Sequence, residues 1–232
     1  MNDQEVIDYI SRPVREWDKK PLICVPFERT LPAPDKVLPS LFHYARQGCD
    51  YLFLPYSRTD VTRNKAAFGL LANEDYEWIL FLDSDHYHDP QIVEKLCRWS
   101  LRDPGIRVIG GLNFARKPPY APCFAFKTGE DRQVPISWPD DIIFEVEMVG
   151  SGSLLIHRSV FIDLMPPYFE YKYDGVWRDE WPGEEIEFCK KCKEAGIKMW
   201  VDPSVRSPHI SEIEIGEENF RQWFAERGMS GE

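Results

Sequence analysis

Four short apolar runs, separated by segments of helical periodicity, fix what the first half of this chain can become. The runs are Pro21-Leu22-Ile23-Cys24-Val25-Pro26, Tyr51-Leu52-Phe53-Leu54-Pro55, Trp78-Ile79-Leu80-Phe81-Leu82 and Arg107-Val108-Ile109-Gly110-Gly111. Each has the length of a strand buried on both faces. Between the first two, Val37, Leu38, Leu41, Tyr44 and Ala45 recur at helical spacing and stop at Gly48. A second helix is predicted from about Val61 to Ala72, with Phe68 and Leu71 on its inner face. A third starts at Asp89-Pro90, an N-cap acid followed by proline, with Ile92, Val93, Leu96, Cys97 and Leu101 as its apolar stripe. Strand and helix alternating in this way predict a mostly parallel sheet with right-handed crossovers. Ligands of such sheets bind beyond the carboxyl ends of the strands.

One of those ends carries two acids. Leu82 is followed directly by Asp83-Ser84-Asp85 and then by His86, Tyr87, His88 and Asp89. Acids two residues apart share a face of a regular strand but stand about 7 Å apart, so they converge on one ion only if the chain turns as it leaves the sheet. Hard oxygen ligands at such a turn suit Mg²⁺ or Mn²⁺, which complete their coordination with phosphate and water. The alternative is a solvated turn.

The second half differs in character. Strands are predicted at 122–126, at 142–148 with clear alternation, at 154–156 after Gly150-Ser151-Gly152-Ser153, and at 197–201, giving a mixed portion. Short helical stretches fall around Val160–Leu164 and from about Glu184 to Ala195, and a C-terminal helix at about 216–228. Pro166 to Gly183 is aromatic, acidic and aperiodic, which marks a lid or binding loop. One domain is expected, with a first half at about 20–112 and a second at about 113–212.

The 232 residues, 43% hydrophobic and 14% aromatic, are ample for a core. A net charge of −11 opposes broad affinity for nucleic acid or anionic lipid, which need clustered Lys and Arg. No window has the length of a membrane span, and the polar start Met1-Asn2-Asp3-Gln4-Glu5 has no signal-peptide character, so a cytoplasmic location is expected. The six cysteines are read as core residues, Cys189 and Cys192 included, because no further metal ligands accompany that pair.

Other polar positions carry two readings each. Arg63 presents its guanidinium to a diphosphate or an acid, or sits on the surface in a capping network. Gly150 and Gly152 allow close approach of a ligand, or simply bend a strand. Glu184 and Glu185 suit a first helical turn on dipole grounds alone, or one of them faces a cleft as a general base. His209 is a surface loop residue or a neutral nitrogen ligand beside the carboxylates.

Taken in order, these segments resemble the GT-A-fold nucleotide-sugar glycosyltransferases, especially small soluble family 2-like members of the kind frequent in phage and bacterial genomes. The match runs from about Pro21 to Ile210. It is carried by Val25-Pro26, Thr62-Arg63-Asn64-Lys65-Ala66, Phe81-Leu82-Asp83-Ser84-Asp85, Gly150-Ser151-Gly152 with Ile156-His157-Arg158, Gly183-Glu184-Glu185-Ile186-Glu187-Phe188-Cys189, Val201-Asp202-Pro203 and His209. The resemblance implies an α/β, GT-A-like sheet, mixed in its C-terminal half and flanked by helices. It implies Mn²⁺ or Mg²⁺ held by Asp85, by Asp83 directly or through water, and by His209. It also implies a nucleotide-diphosphate sugar, with uridine diphosphate sugars the expected class, cradled by Pro26, Phe27 and Glu28 at the base and met by Arg63, Asp83 and Ser84. Glu184 and Glu185 stand where the family has a Glu-Asp element whose Asp is the base in inverting members; here that position is Glu185, one methylene longer.

The expected chemistry is metal-dependent transfer of a sugar to an acceptor hydroxyl. Trp177 and Trp181 are candidates to stack on a sugar, or to pack the loop down. Modified DNA as acceptor is disfavoured by the charge. The rival enzyme is a sugar nucleotidyltransferase, which should carry a glycine-rich basic loop after its first strand; Pro26-Phe27-Glu28-Arg29-Thr30 has no glycine. A non-catalytic carbohydrate-binding protein on the same fold is the remaining alternative.

Overall fold

The computed structural model describes residues 21–26, 34–54, 57–127, 134–172, 183–210 and 214–227. In chain order the elements are β1 (Leu22–Pro26), α1 (Pro34–Arg46), β2 (Asp50–Leu54), α2 (Thr59–Ala72), β3 (Trp78–Leu82), α3 (Ile92–Arg102) and β4 (Val108–Leu112). Then come β5 (Phe124–Ala125), β6 (Phe144–Val146), β7 (Met148–Val149), β8 (Ser153–His157), α4 (Arg158–Asp163) and α5 (Glu184–Glu194). The chain continues through β9 (Met199–Arg206), β10 (His209–Ile210), β11 (Glu214–Ile215) and α6 (Glu217–Ala225).

Seven strands form the central sheet in the order β2-β1-β3-β8-β4-β9-β6. β1 pairs in parallel with β2 and β3, and β4 with β9. β8 lies between β3 and β4 and runs against both, from Trp78↔His157 to Leu82↔Ser153 on one side. β6 runs against β9 at the edge. Five strands therefore share a direction, and the carboxyl end of β3 meets the amino end of β8. That juxtaposition brings Gly150-Ser151-Gly152 beside the acid turn.

Alternation along β3 explains its unbroken apolar run. Ile79 and Phe81 join the core on one face, with Ala66, Ala67, Leu70, Phe161, Phe169 and Phe188. Leu80 and Leu82 join the core on the other, with Val93, Leu96, Trp99 and Ile109. A strand buried on both faces needs apolar side chains at every position.

Several expectations shift on inspection. The inner face of α2 is Arg63, Ala66, Ala67 and Leu70, whereas Phe68 is 49% exposed and Leu71 packs only partly against the core. Two alanines let the helix approach the sheet closely, and the arginine spans the space beneath it. α3 is regular from Ile92, and Asp89-Pro90 leads into it: the Asp89 carboxylate accepts from the Gln91 backbone N–H at 2.8 Å, as a capping acid does, and its carbonyl accepts from Ile92 N–H at 3.0 Å. β9 runs on to Arg206, past a register shift beside Gly111/Leu112 that accommodates Pro203. Cys189 and Cys192 are buried thiols on α5, and burial pushes the Cys189 thiol up to about 12, as for an inert core cysteine.

Candidate functional site

The turn after β3 is stitched into place by the second half of the chain. Asp83 N–H donates to Gly152 O at 3.0 Å, Tyr87 N–H to Pro208 O at 2.9 Å, and Ile210 N–H to Asp85 O at 2.7 Å. Buried His88 donates from Nε2 to Asp83 O at 2.8 Å, which sets its tautomer and leaves Nδ1 to accept from Ser207 Oγ at 3.2 Å. The turn thus sends its two carboxylates to different partners.

Asp85 joins His86 and His209 in a cluster whose ligand atoms all lie within 4.8 Å of one another. The His86 ring is 2% exposed, donates from Nδ1 to Asp85 Oδ1 at 2.9 Å, and keeps a buried Nε2 with no hydrogen-bond partner. His209 donates from Nδ1 to the Phe114 carbonyl, which leaves its Nε2 lone pair available. The two rings stand 3.7 Å apart between centroids. Burial pushes His86 down to about 4 and His209 to about 3, so both are neutral imidazoles at pH 7. The His86–Asp85 contact is accordingly a hydrogen bond from a neutral ring rather than an ion pair. Asp85 also pairs with the Arg116 guanidinium.

Asp83, in contrast, turns to Arg63. The Arg63 side chain is 2% exposed, and one guanidinium nitrogen holds Asp83 Oδ1 at 2.5 Å while the other holds the Glu184 carboxylate. Its planar fork thereby ties α2, the end of β3 and the start of α5 together, above the Phe81 ring at 5.9 Å. Of the readings of Arg63, contact with an acid is the one present, and the surface reading is overturned by its burial between two carboxylates. Asp83 pairs with Arg63 through one oxygen, and the ion-sized cluster beside it is made of Asp85, His86 and His209. Glu184 is buried in an ion pair, and both it and Glu185 line a polar cleft.

A polar cleft of about 230 Å³ lies between these groups, lined by Thr59, Arg63, Asp83, His86, Asn113, Cys123, Gly150, Ser151, Gly152, Tyr171, Glu184, Glu185 and His209. Both glycines line the cleft and also sit tight against protein. A Cβ on Gly150 would stand 2.7 Å from Cys123 Cβ, and one on Gly152 would stand 3.0 Å from Cε1 and Nε2 of His86. Pro26 closes β1 as a buried residue and Ser84 is half-buried in the acid turn. Phe27, Glu28, Trp177 and Trp181 lie outside the described residues. His86 and Arg116 are the site residues not singled out from sequence. The signal for His86 was its adjacency to Asp85; none marked Arg116.

No family model matches the chain, and no curated protein does. Among solved structures, A197 from STIV aligns at a TM-score of 0.61 with 20% identity, over 86% of this chain and 91% of that one. The likeness to A197 shows a shared fold, a mixed α/β sheet flanked by helices. GalNAc-T7, solved with UDP, GalNAc and Mn²⁺, aligns at a TM-score of 0.49 with 13% identity, over 89% of this chain and 47% of its own. A glycosyltransferase involved in glycosylation of the major capsid of PBCV-1 aligns at 0.35 with 17% identity, over 62% of each chain. Solved structures that match include glycosyltransferases and nucleotidyltransferases. Within this sheet, the cluster and the cleft lie where β3 ends and β8 begins, beyond the carboxyl ends of the parallel strands. No helix among the described residues is long and apolar enough to cross a membrane.

Proposed function

We propose that this protein is a metal-dependent glycosyltransferase that moves a sugar from a nucleotide-diphosphate donor, with uridine diphosphate sugars the expected class, to an acceptor hydroxyl. The observation that carries this is the convergence of Asp85, His86 and His209 beside a polar cleft at the strand ends of a GT-A-like sheet. One carboxylate and two neutral imidazoles, one with an orphaned buried nitrogen, fit a divalent ion. Nitrogen donors beside oxygen favour Mn²⁺ over Mg²⁺. Such an ion neutralises charge developing on the departing diphosphate.

The protein's own groups do the rest. Asp83 is held at one oxygen by Arg63, and its other oxygen is offered to a ribose hydroxyl. Pro26 marks the end of β1 where the base is received. Glu185 accepts the proton of the acceptor hydroxyl if the reaction inverts; a retaining reaction leaves it the task of orienting that hydroxyl. A chain of net charge −11 favours acceptors other than DNA.

Thermal unfolding with UDP, with and without Mn²⁺, tests the proposal. At a hundredfold excess over Kd the wild type gains about 2.7 kcal/mol of apparent stability. Asp85→Ala, His86→Ala and His209→Ala lose this gain, while Cys189→Ala keeps it. The proposal fails if no nucleoside diphosphate or nucleotide sugar produces an Mn²⁺-dependent shift.

Gly152→Ala gives a finer check. Its methyl presses on the His86 ring, so Mn²⁺ affinity read by electron paramagnetic resonance falls about tenfold, in the range seen when groups supporting a metal ligand are altered. The urea midpoint stays close to wild type. An unaltered Mn²⁺ affinity would show that His86 needs no such freedom of approach.

A further inference from the structure

Asp85 has both oxygens engaged. Oδ1 accepts from His86 Nδ1–H at 2.9 Å, and Oδ2 carries the Arg116 guanidinium. Arg116 is therefore a positive charge sitting on the carboxylate that a divalent ion would use. Its side chain is 56% exposed, against 22% for Asp85.

The backbone beneath Arg116 is pinned while its side chain is not. Phe114 bridges to Pro122, Ala115 N–H donates to Ala121 O at 2.8 Å, and Tyr120 N–H donates to Lys117 O at 2.8 Å, which closes a small hairpin. The Phe114 carbonyl accepts from His209, so the foot of that hairpin is tied to the cluster itself. Arg116 can leave Asp85 by rotating its own side chain, with the guanidinium still within a few ångströms of the site. A planar guanidinium so placed matches two phosphate oxygens at once.

We infer that Arg116 is an exchanging cation: it neutralises Asp85 until a divalent ion takes the carboxylate, and then passes to the diphosphate of the nucleotide. The inference rests on the glycosyl-transfer proposal and adds to it a residue that couples the two ligands. Metal alone must displace Arg116 and leave it beside a second positive charge. Metal together with a diphosphate gives the displaced guanidinium an anion to hold. Linkage then requires each ligand to strengthen the other's binding.

The exchange predicts effects of opposite sign from one substitution. Arg116→Ala binds Mn²⁺ alone about two- to fivefold more tightly, the size expected when an exposed ion pair no longer competes. The same variant, saturated with Mn²⁺, binds UDP at least tenfold more weakly, because a charge-assisted phosphate contact is gone. Arg116→Lys keeps the charge but not the fork. It restores most of the competition with Mn²⁺ and only part of the UDP affinity. Mn²⁺ binding is read by electron paramagnetic resonance and UDP binding by calorimetry, on the full chain, with circular dichroism to show that the exposed substitutions leave the fold intact.

Equal Mn²⁺ affinity in wild type and Arg116→Ala overturns the exchange, and so does equal UDP affinity in the Mn²⁺-loaded proteins. Absence of any Mn²⁺ binding in both proteins overturns the metal-dependent proposal itself. The two failures are thus told apart by whether an Mn²⁺ signal is present.

Discussion

Replacing Arg63 with methionine lowers the unfolding free energy by about 3–5 kcal/mol, read as a fall in the urea midpoint at unchanged slope. Methionine keeps much of the length and the contact with Phe81 but removes the positive charge that lies between Asp83 and Glu184. Asp83 recovers some water, since its side chain is 26% exposed, but Glu184 at 5% does not. A buried carboxylate stripped of its partner is what makes the loss large. Arg63→Met combined with Glu184→Leu recovers most of the stability, because replacing a buried pair by packed apolar groups is close to neutral. If the single substitution costs less than about 1 kcal/mol, the start of α5 is not held by this ion pair.

Phe169→Ala is expected to cost a similar amount, about 3–5 kcal/mol, as for other large-to-small changes at fully buried aromatic positions. Phe169 is wholly buried and lies stacked on Phe188, with centroids 4.7 Å apart and planes 14° apart, and edge-on to Phe81 at 5.6 Å. Asn64 fastens the same segment from α2. Its Nδ2 donates to Phe169 O at 2.7 Å and its Oδ1 accepts from Tyr168 N–H at 2.7 Å. The segment leads to Tyr171, which lines the cleft and shares a 2.6 Å hydrogen bond with Thr59. Losing the ring therefore also frees one wall of the cleft. Hydrogen exchange at the Tyr168 and Phe169 amides should accelerate in step with the lost stability. A cost under about 2 kcal/mol would mean that the segment settles into the cavity.

Much of this architecture was legible because the strands are buried on both sides. Continuous apolar runs such as Trp78–Leu82 announce themselves, and the turn at Asp83-Ser84-Asp85 stands out against them. The direction of β8 was not legible, since Leu154-Leu155-Ile156 reads alike from either end and only its neighbours determine the pairing. For α2 the eye goes to Phe68 and Leu71, the large residues, whereas burial follows the stripe Arg63, Ala66, Ala67 and Leu70. An arginine in register with two alanines was the available clue that its charge is turned inward. Asp85 and His209 were marked out by residue type, but their meeting depends on residues 207–210 folding back over the acid turn. Sequence separation hides such a contact, and it hid the Arg116–Asp85 pair for the same reason.

The stitching of the acid turn has a consequence for how the protein is made. Its backbone partners are Gly152, Pro208 and Ile210, all supplied after the turn itself has been synthesised. A ribosome that has released the chain through His88 has delivered every residue of the Asp83–His88 turn, and Arg63 to hold Asp83, yet none of these three backbone partners. The proposed ion cluster is therefore completed only late in translation, when the stretch around His209 emerges and closes over a turn made more than a hundred residues earlier.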